Sequence, residues 1–223
     1  MGGHTYLSKN KSNHILYPLD IFLKKRLLNL VPRFVQTYHL TMLTLLWSLL
    51  ILFLSYIFSE SRFIYIIIAI IILLQYITDL LDGEVGRRRN TGLVLWGFFM
   101  DHFLDYVFLC SLGIGYFIIL PKSLDIYVAL IVILISFMFQ AVFMRAITMK
   151  KFNISSQGIS ATEIRVLLIF VNLIFFITGL YLAQFILIIT TATCAVGVFA
   201  YVYDSHRQLW DADMKNKKLN SLN

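Results

Sequence analysis

Asp79 and Asp82 stand three residues apart and Asp101 and Asp105 four apart, so on a helix each pair shares one face. All four fall in or beside strongly apolar stretches, where a carboxylate is costly to insert, on the order of 2.5–3.5 kcal/mol near a bilayer centre, and usually marks a functional site facing other helices. Clustered carboxylates repel one another unless a cation lies between them. An oxygen-only, carboxylate-lined site suits hard cations such as Mg²⁺ or Mn²⁺, and two such ions about 4 Å apart form a clamp fit for phosphoryl transfer. Asp82 has a local alternative partner in Arg87; Asp101 and Asp105 do not, because no basic residue lies between Arg89 and Lys122. Two glycines adjoin the pairs. Gly83 follows Asp82, where a missing side chain lets a bulky ligand approach the backbone, and Gly97 extends the Asp101/Asp105 stripe by one turn and opens space above it.

The elements that must position these residues are membrane helices. The 223-residue chain is 59% hydrophobic and 14% charged, with a mean hydropathy of +0.80, outside the range of ordinary soluble domains. A span needs roughly 20 apolar residues, and six runs qualify, at about 40–58, 63–81, 93–119, 126–144, 164–182 and 184–203, the last two nearly fused. The runs are continuous and lack the alternation of a membrane β-barrel. With the N-terminus inside, every one of the 19 basic residues except Arg62 and Lys122 lies on the cytoplasmic side, as the positive-inside rule requires for six spans with both ends in the cytoplasm. By that topology the second span runs inward and the third outward, so the two aspartate pairs meet at one depth near the cytoplasmic face. The net charge of +7 reads as topology and attraction to anionic headgroups; nucleic-acid binding is not expected, since the basic residues recur at every inner loop.

The expected organisation is an all-α membrane protein in three parts. Residues 1–39 form a cytoplasmic tail, polar and poorly ordered to residue 19, followed by an amphipathic interfacial helix in "LDIFLKKRLLNLVPRFVQTYH". Residues 40–203 form the six-helix catalytic domain, and residues 204–223 a cytoplasmic tail. The inner connections are "GEVGRRRNT" and "KKFNISSQGIS". The late first apolar run argues against a cleavable signal peptide, and Tyr6 stands where a myristoylation motif needs Ser or Thr. Cys110 and Cys194 lie within apolar spans and read as packing residues. His102, about 100° around the helix from Asp101, reads as a packing residue too.

The string from Asp79 through Asp82, Gly83, Gly86 and Arg87 to Gly97, Asp101 and Asp105 resembles the signature of the CDP-alcohol phosphotransferases, D-x2-D-G-x2-A-R-x8-G-x3-D-x3-D. Seven of its eight residue types are present in order. Gly86 stands where alanine is usual, and nine residues rather than eight separate Arg87 from Gly97, so Arg88 is an equal candidate for the arginine of the pattern. The resemblance implies a phospholipid-synthesising transferase of the bacterial plasma membrane or an equivalent one. A two-metal aspartate site with Mg²⁺ or Mn²⁺ would move a phosphatidyl or substituted phosphoryl group from a CDP-linked lipid, CDP-diacylglycerol foremost, to an alcohol, releasing CMP. Asp79, Asp82 and Asp101 would be the principal ligands. Asp105 would be the general base and also touch metal, Gly83 would admit the cytidine, and Arg87 or Arg88 would hold the diphosphate. Thr41, in "TYHLT", stands in the place of a threonine that members often carry near the start of their first span, without the accompanying proline and asparagine. Glu163 and Arg165 face the same compartment as the aspartates and suit either acceptor contact or a solvated, charged helix end. The resemblance also implies a homodimer and an active site open to the cytoplasm. Alternatives are transfer from a CDP-aminoalcohol to diacylglycerol, a cation- or proton-coupled transporter, and a lipid-binding scaffold without catalysis.

Overall fold

The computed structural model describes residues 15–91, 93–149 and 161–220, and every regular element among them is helical. Expectations that fall on 1–14 and 150–160, including the polar tail and most of the "KKFNISSQGIS" loop, lie outside the described residues. In chain order the helices are α1 (Tyr17–Leu27), α2 (Thr37–Ile57), α3 (Phe63–Arg89), α4 (Val94–Ile119), α5 (Asp125–Met149), α6 (Ala161–Thr178) and α7 (Ala183–Asn220), with short 3₁₀ turns at Leu28–Leu30 and Lys122–Leu124. Five of them, α2, α3, α4, α5 and α7, are long and apolar enough to cross a membrane. The run expected at 164–182 forms the shorter α6, whose 18 residues span about 27 Å.

Three boundaries differ from the sequence expectations for physical reasons. The segment expected as an interfacial helix is helical from Tyr17 rather than beyond residue 19, and the helix ends at Leu27. Val31, which precedes Pro32, is extended (φ −71°, ψ 115°), as a residue before proline prefers, and the chain restarts as α2 with a reciprocal cap between Gln36 and His39. The second difference is at "GEVGRRR", expected as loop, which continues α3. Arg87–Arg89 occupy its last turn, where cations complement the helix dipole, and Asn90 ends it in the left-handed conformation (φ 50°). Only Asn90 to Leu93 then connect α3 to α4, so each aspartate pair sits on one uninterrupted helix and the extra residue of the pattern does not disturb either stripe. The third is α7, which carries on as helix through the segment expected as a tail. Arg145 of α5 ties that extension down, donating to Asp204 at 2.9 Å, Ser205 at 3.1 Å and Gln208 at 2.6 Å. The near-fused fifth and sixth runs are parted by Gly179 (φ +65°), a conformation that favours glycine.

The packing order places α2 against both α3 and α4, α3 against α6, α4 against α5, and α5 against α7. The face that α2 buries is made of Thr37, Leu40, Thr41, Thr44, Ser48, Ile51 and Ser55, five of the seven being Thr or Ser, while Leu46, Leu49 and Phe53 are exposed. Small residues inward and large apolar ones outward is the arrangement by which helices pack closely in lipid. The main core, with Ile51, Ile64, Ile68, Ile72, Phe108, Leu112 and Phe175, fills the half of the bundle formed by the start of α3 and the end of α4. A smaller cluster of Leu40, Leu81 and Val85, with Leu27, Val31 and Val35 packed on it, seals the α1–α2 connection onto α3 at the opposite half, where the aspartates lie.

Candidate active site

Asp79 and Asp82, on the last part of α3, and Asp101, two turns into α4, bring carboxylate oxygens within 4.8 Å of one another. The helices deliver them from opposite sides, and α2 supplies the wall behind. Thr37 Oγ1 donates to the backbone carbonyl of Asp82 at 2.7 Å, and Thr41 Oγ1 lies 3.0 Å from Asp82 Oδ2 and 3.1 Å from the carbonyl of Thr37. Gly86 eases this approach, since a Cβ there would stand 3.2 Å from Thr37 Oγ1, closer than ordinary contact. Asp82 is buried, while the Asp101 side chain is about one-third open, which gives the cluster a mouth.

Asp105 stands outside the group of three and is held differently. Arg165, buried near the start of α6, donates through Nη1 to Asp79 Oδ2 at 2.6 Å and through Nη2 to Asp105 Oδ1 at 2.7 Å. Gln75, fully buried on α3 one turn before Asp79, donates to the same Asp105 Oδ1 at 3.0 Å. The expectation that Asp105 lacks a basic partner is therefore corrected. It holds only for neighbours in sequence, and the packing of α6 on α3 brings a guanidinium from 60 positions away. One guanidinium among four carboxylates still leaves a strong excess of negative potential if all are ionised. An oxygen-only donor set in that field fits hard divalent cations, with Asp79, Asp82 and Asp101 as the residues able to hold them.

The remaining candidates divide. Gly83 and Gly97 leave room: a Cβ at Gly83 would meet only the Arg87 guanidinium at 3.6 Å, and one at Gly97 nothing within 4 Å. Arg87 pairs with Glu84 at 2.6 Å and is more than half exposed. Arg88 instead donates to Asn29, and Arg89 to the carbonyls of Val31 and Pro32, so these two arginines pin the α1–α2 connection. Glu163 accepts from the backbone N–H of Leu16 at 2.9 Å, and His102 Nδ1 lies 2.7 Å from the Phe98 carbonyl. Helix α1 is tied to the site from below: buried Asp20 accepts from Tyr76 at 2.5 Å and lies 3.3 Å from Thr162 Oγ1. Those partners sit one turn before Asp79 and Arg165 respectively.

Against known families, the model for CDP-alcohol phosphatidyltransferases matches residues 37–201, from the first residue of α2 well into α7. The chain belongs to the CDP-alcohol phosphatidyltransferase family. Searches of curated proteins and of solved structures return no match. CDP-alcohol phosphatidyltransferases are transferases of substituted phosphate groups, which decides for an enzyme over a transporter or a scaffold. Members typically use a divalent metal, as the three-aspartate cluster accommodates, and the five apolar helices make this member an integral membrane protein. Sequence reasoning did not single out Gln75 or Thr37. A signal for Gln75 was present, as a lone amide inside the apolar run from Phe63 to Ile77.

Proposed function

We propose that this CDP-alcohol phosphatidyltransferase transfers the phosphatidyl group of CDP-diacylglycerol to the hydroxyl of a small alcohol, releasing CMP, at the cytoplasmic face of the membrane. The observation that carries the reading is the convergence of Asp79, Asp82 and Asp101 from two helices inside a stretch matched by the family. Those three residues would hold a pair of Mg²⁺ or Mn²⁺ ions. When bound, the ions supply the positive charge that offsets the diphosphate and the departing phosphate.

The chain's own residues do the rest. Asp105, outside the three-carboxylate group, takes the acceptor's proton in this reading as the acceptor oxygen attacks the phosphorus of the phosphatidyl group in line. The new O–P bond forms as the P–O bond to CMP breaks, and the electron pair leaves with CMP. Arg87, exposed in the last α3 turn and bonded through its side chain, among the described residues, only to the neighbouring Glu84 side chain, exchanges Glu84 for the diphosphate. The space beside Gly83 admits the cytidine, and that beside Gly97 the donor phosphates. Thr41 keeps Asp82 aimed into the cluster.

In this reading α2–α7 form six spans with both termini cytoplasmic, α6 being the shortest of the six and carrying Glu163 and Arg165 near its start. Helix α1 lies in the interface, its Lys24, Lys25 and Arg26 toward anionic headgroups, and the enzyme acts as a homodimer. The diacylglycerol tails stay in the bilayer while the nucleotide reaches the cytoplasm. The test is CMP release by the purified protein in lipid with Mn²⁺, CDP-diacylglycerol and a panel of alcohols: one alcohol drives CMP formation and chelation stops it. CMP formation that no acceptor or cation affects would refute the assignment.

A further inference from the structure

We infer that Gln75 and Arg165 act as positioning residues for Asp105, occupying its Oδ1 so that Oδ2 alone is presented to the acceptor hydroxyl; this rests on the assignment of Asp105 as the base. Both donors converge on one oxygen, Gln75 Nε2 at 3.0 Å and Arg165 Nη2 at 2.7 Å, which uses both of its lone pairs. Among the described residues no donor reaches Oδ2, and the Asp105 side chain keeps about 23% of its surface, so a substrate hydroxyl can approach that oxygen and not its neighbour.

The arrangement is held from two directions. Gln75 comes from α3 and Arg165 from α6, so Asp105 on α4 is fixed against rotation about its own side-chain bonds by two other helices. The Gln75 amide has only one workable orientation, because an ion-paired carboxylate accepts and cannot donate. That orientation strands Gln75 Oε1, buried and without a partner. An unpaired buried carbonyl is destabilising, and an apolar side chain of similar size would avoid it. Stability alone thus gives no reason for glutamine at this position; the contact to Asp105 does. A base held at a fixed angle to its hydroxyl acts on kcat, since the same donor-binding contacts remain in its absence.

Gln75→Met, which keeps the volume and removes the donor, tests this in the full-length enzyme in lipid. Expected are a fall in kcat of about 10- to 100-fold, a KM for CDP-diacylglycerol within about twofold of the parent, and no decrease in melting temperature. Should Gln75→Met not fold, Gln75→Leu, apolar and without the donor, carries the same decision. An unchanged kcat overturns the inference, as does a kcat loss that comes with a matching rise in donor KM and a lowered melting temperature, because that is the pattern of a packing residue. Failure of the underlying assignment reads differently: Asp105→Asn would then release CMP at the parent rate.

Discussion

Asp101 and Arg165 make opposite predictions because one is a charge in excess and the other a charge in demand. Replacing Asp101 with asparagine removes one of three crowded carboxylates at a partly open position, so in chelator the Asp101→Asn protein should melt at or above the parent temperature. CMP release should fall to background, and added Mn²⁺, which stabilises the parent by binding only its folded state, should no longer raise the melting temperature. Arg165→Met should do the reverse, leaving Asp79 and Asp105 without their shared guanidinium. Breaking a buried ion pair from one side costs about 3–5 kcal/mol, read as a lowered melting temperature that Mn²⁺ partly restores. The aspartates were legible in the sequence because helical spacing places them on shared faces. Arg165 was legible only as a nearby charge, since nothing in "SATEIR" says which helix it will meet. Gln75 was hidden by its apolar neighbours.

At the scale of elements, α1 and the α2–α3 seam decide whether the site keeps its shape. Asp20 is the buried link from α1 to Tyr76 of α3 and Thr162 of α6. Asp20→Ala should cost about 1–3 kcal/mol through the hydroxyls it strands, and should open the Leu28–Gln36 connection to limited proteolysis before the bundle unfolds. Gly86→Val should force Thr37 away from α3, given the 3.2 Å approach already present at the position of Cβ, and lower activity together with stability. The helices themselves followed from apolar length, whereas their ends did not. The arginine run looked like loop because charge usually leaves the membrane, yet it extends α3 because a basic last turn and Asn90 complete a helix terminus. Pro32 and the extended Val31 likewise keep α1 shorter than the alternation of Lys, Arg and Leu announced.

For the whole molecule, the bundle joins an apolar half, packed by isoleucines and phenylalanines, to a half where four carboxylates, a buried guanidinium and the arginines of the last α3 turn collect. The orientation proposed for it predicts that a single cysteine at Lys122 is labelled by an impermeant maleimide from outside intact cells. One at Asp211 should be labelled only after permeabilisation, with Cys110 and Cys194 first replaced by alanine. The central claim is that aspartates of α3 and α4 jointly hold divalent ions, and bound Mn²⁺ counted by electron paramagnetic resonance in the presence of CDP-diacylglycerol tests it most directly. About two ions per chain in the parent, with marked loss in both Asp82→Asn and Asp101→Asn, is the predicted result. Equal Mn²⁺ occupancy in the parent and both variants would contradict it.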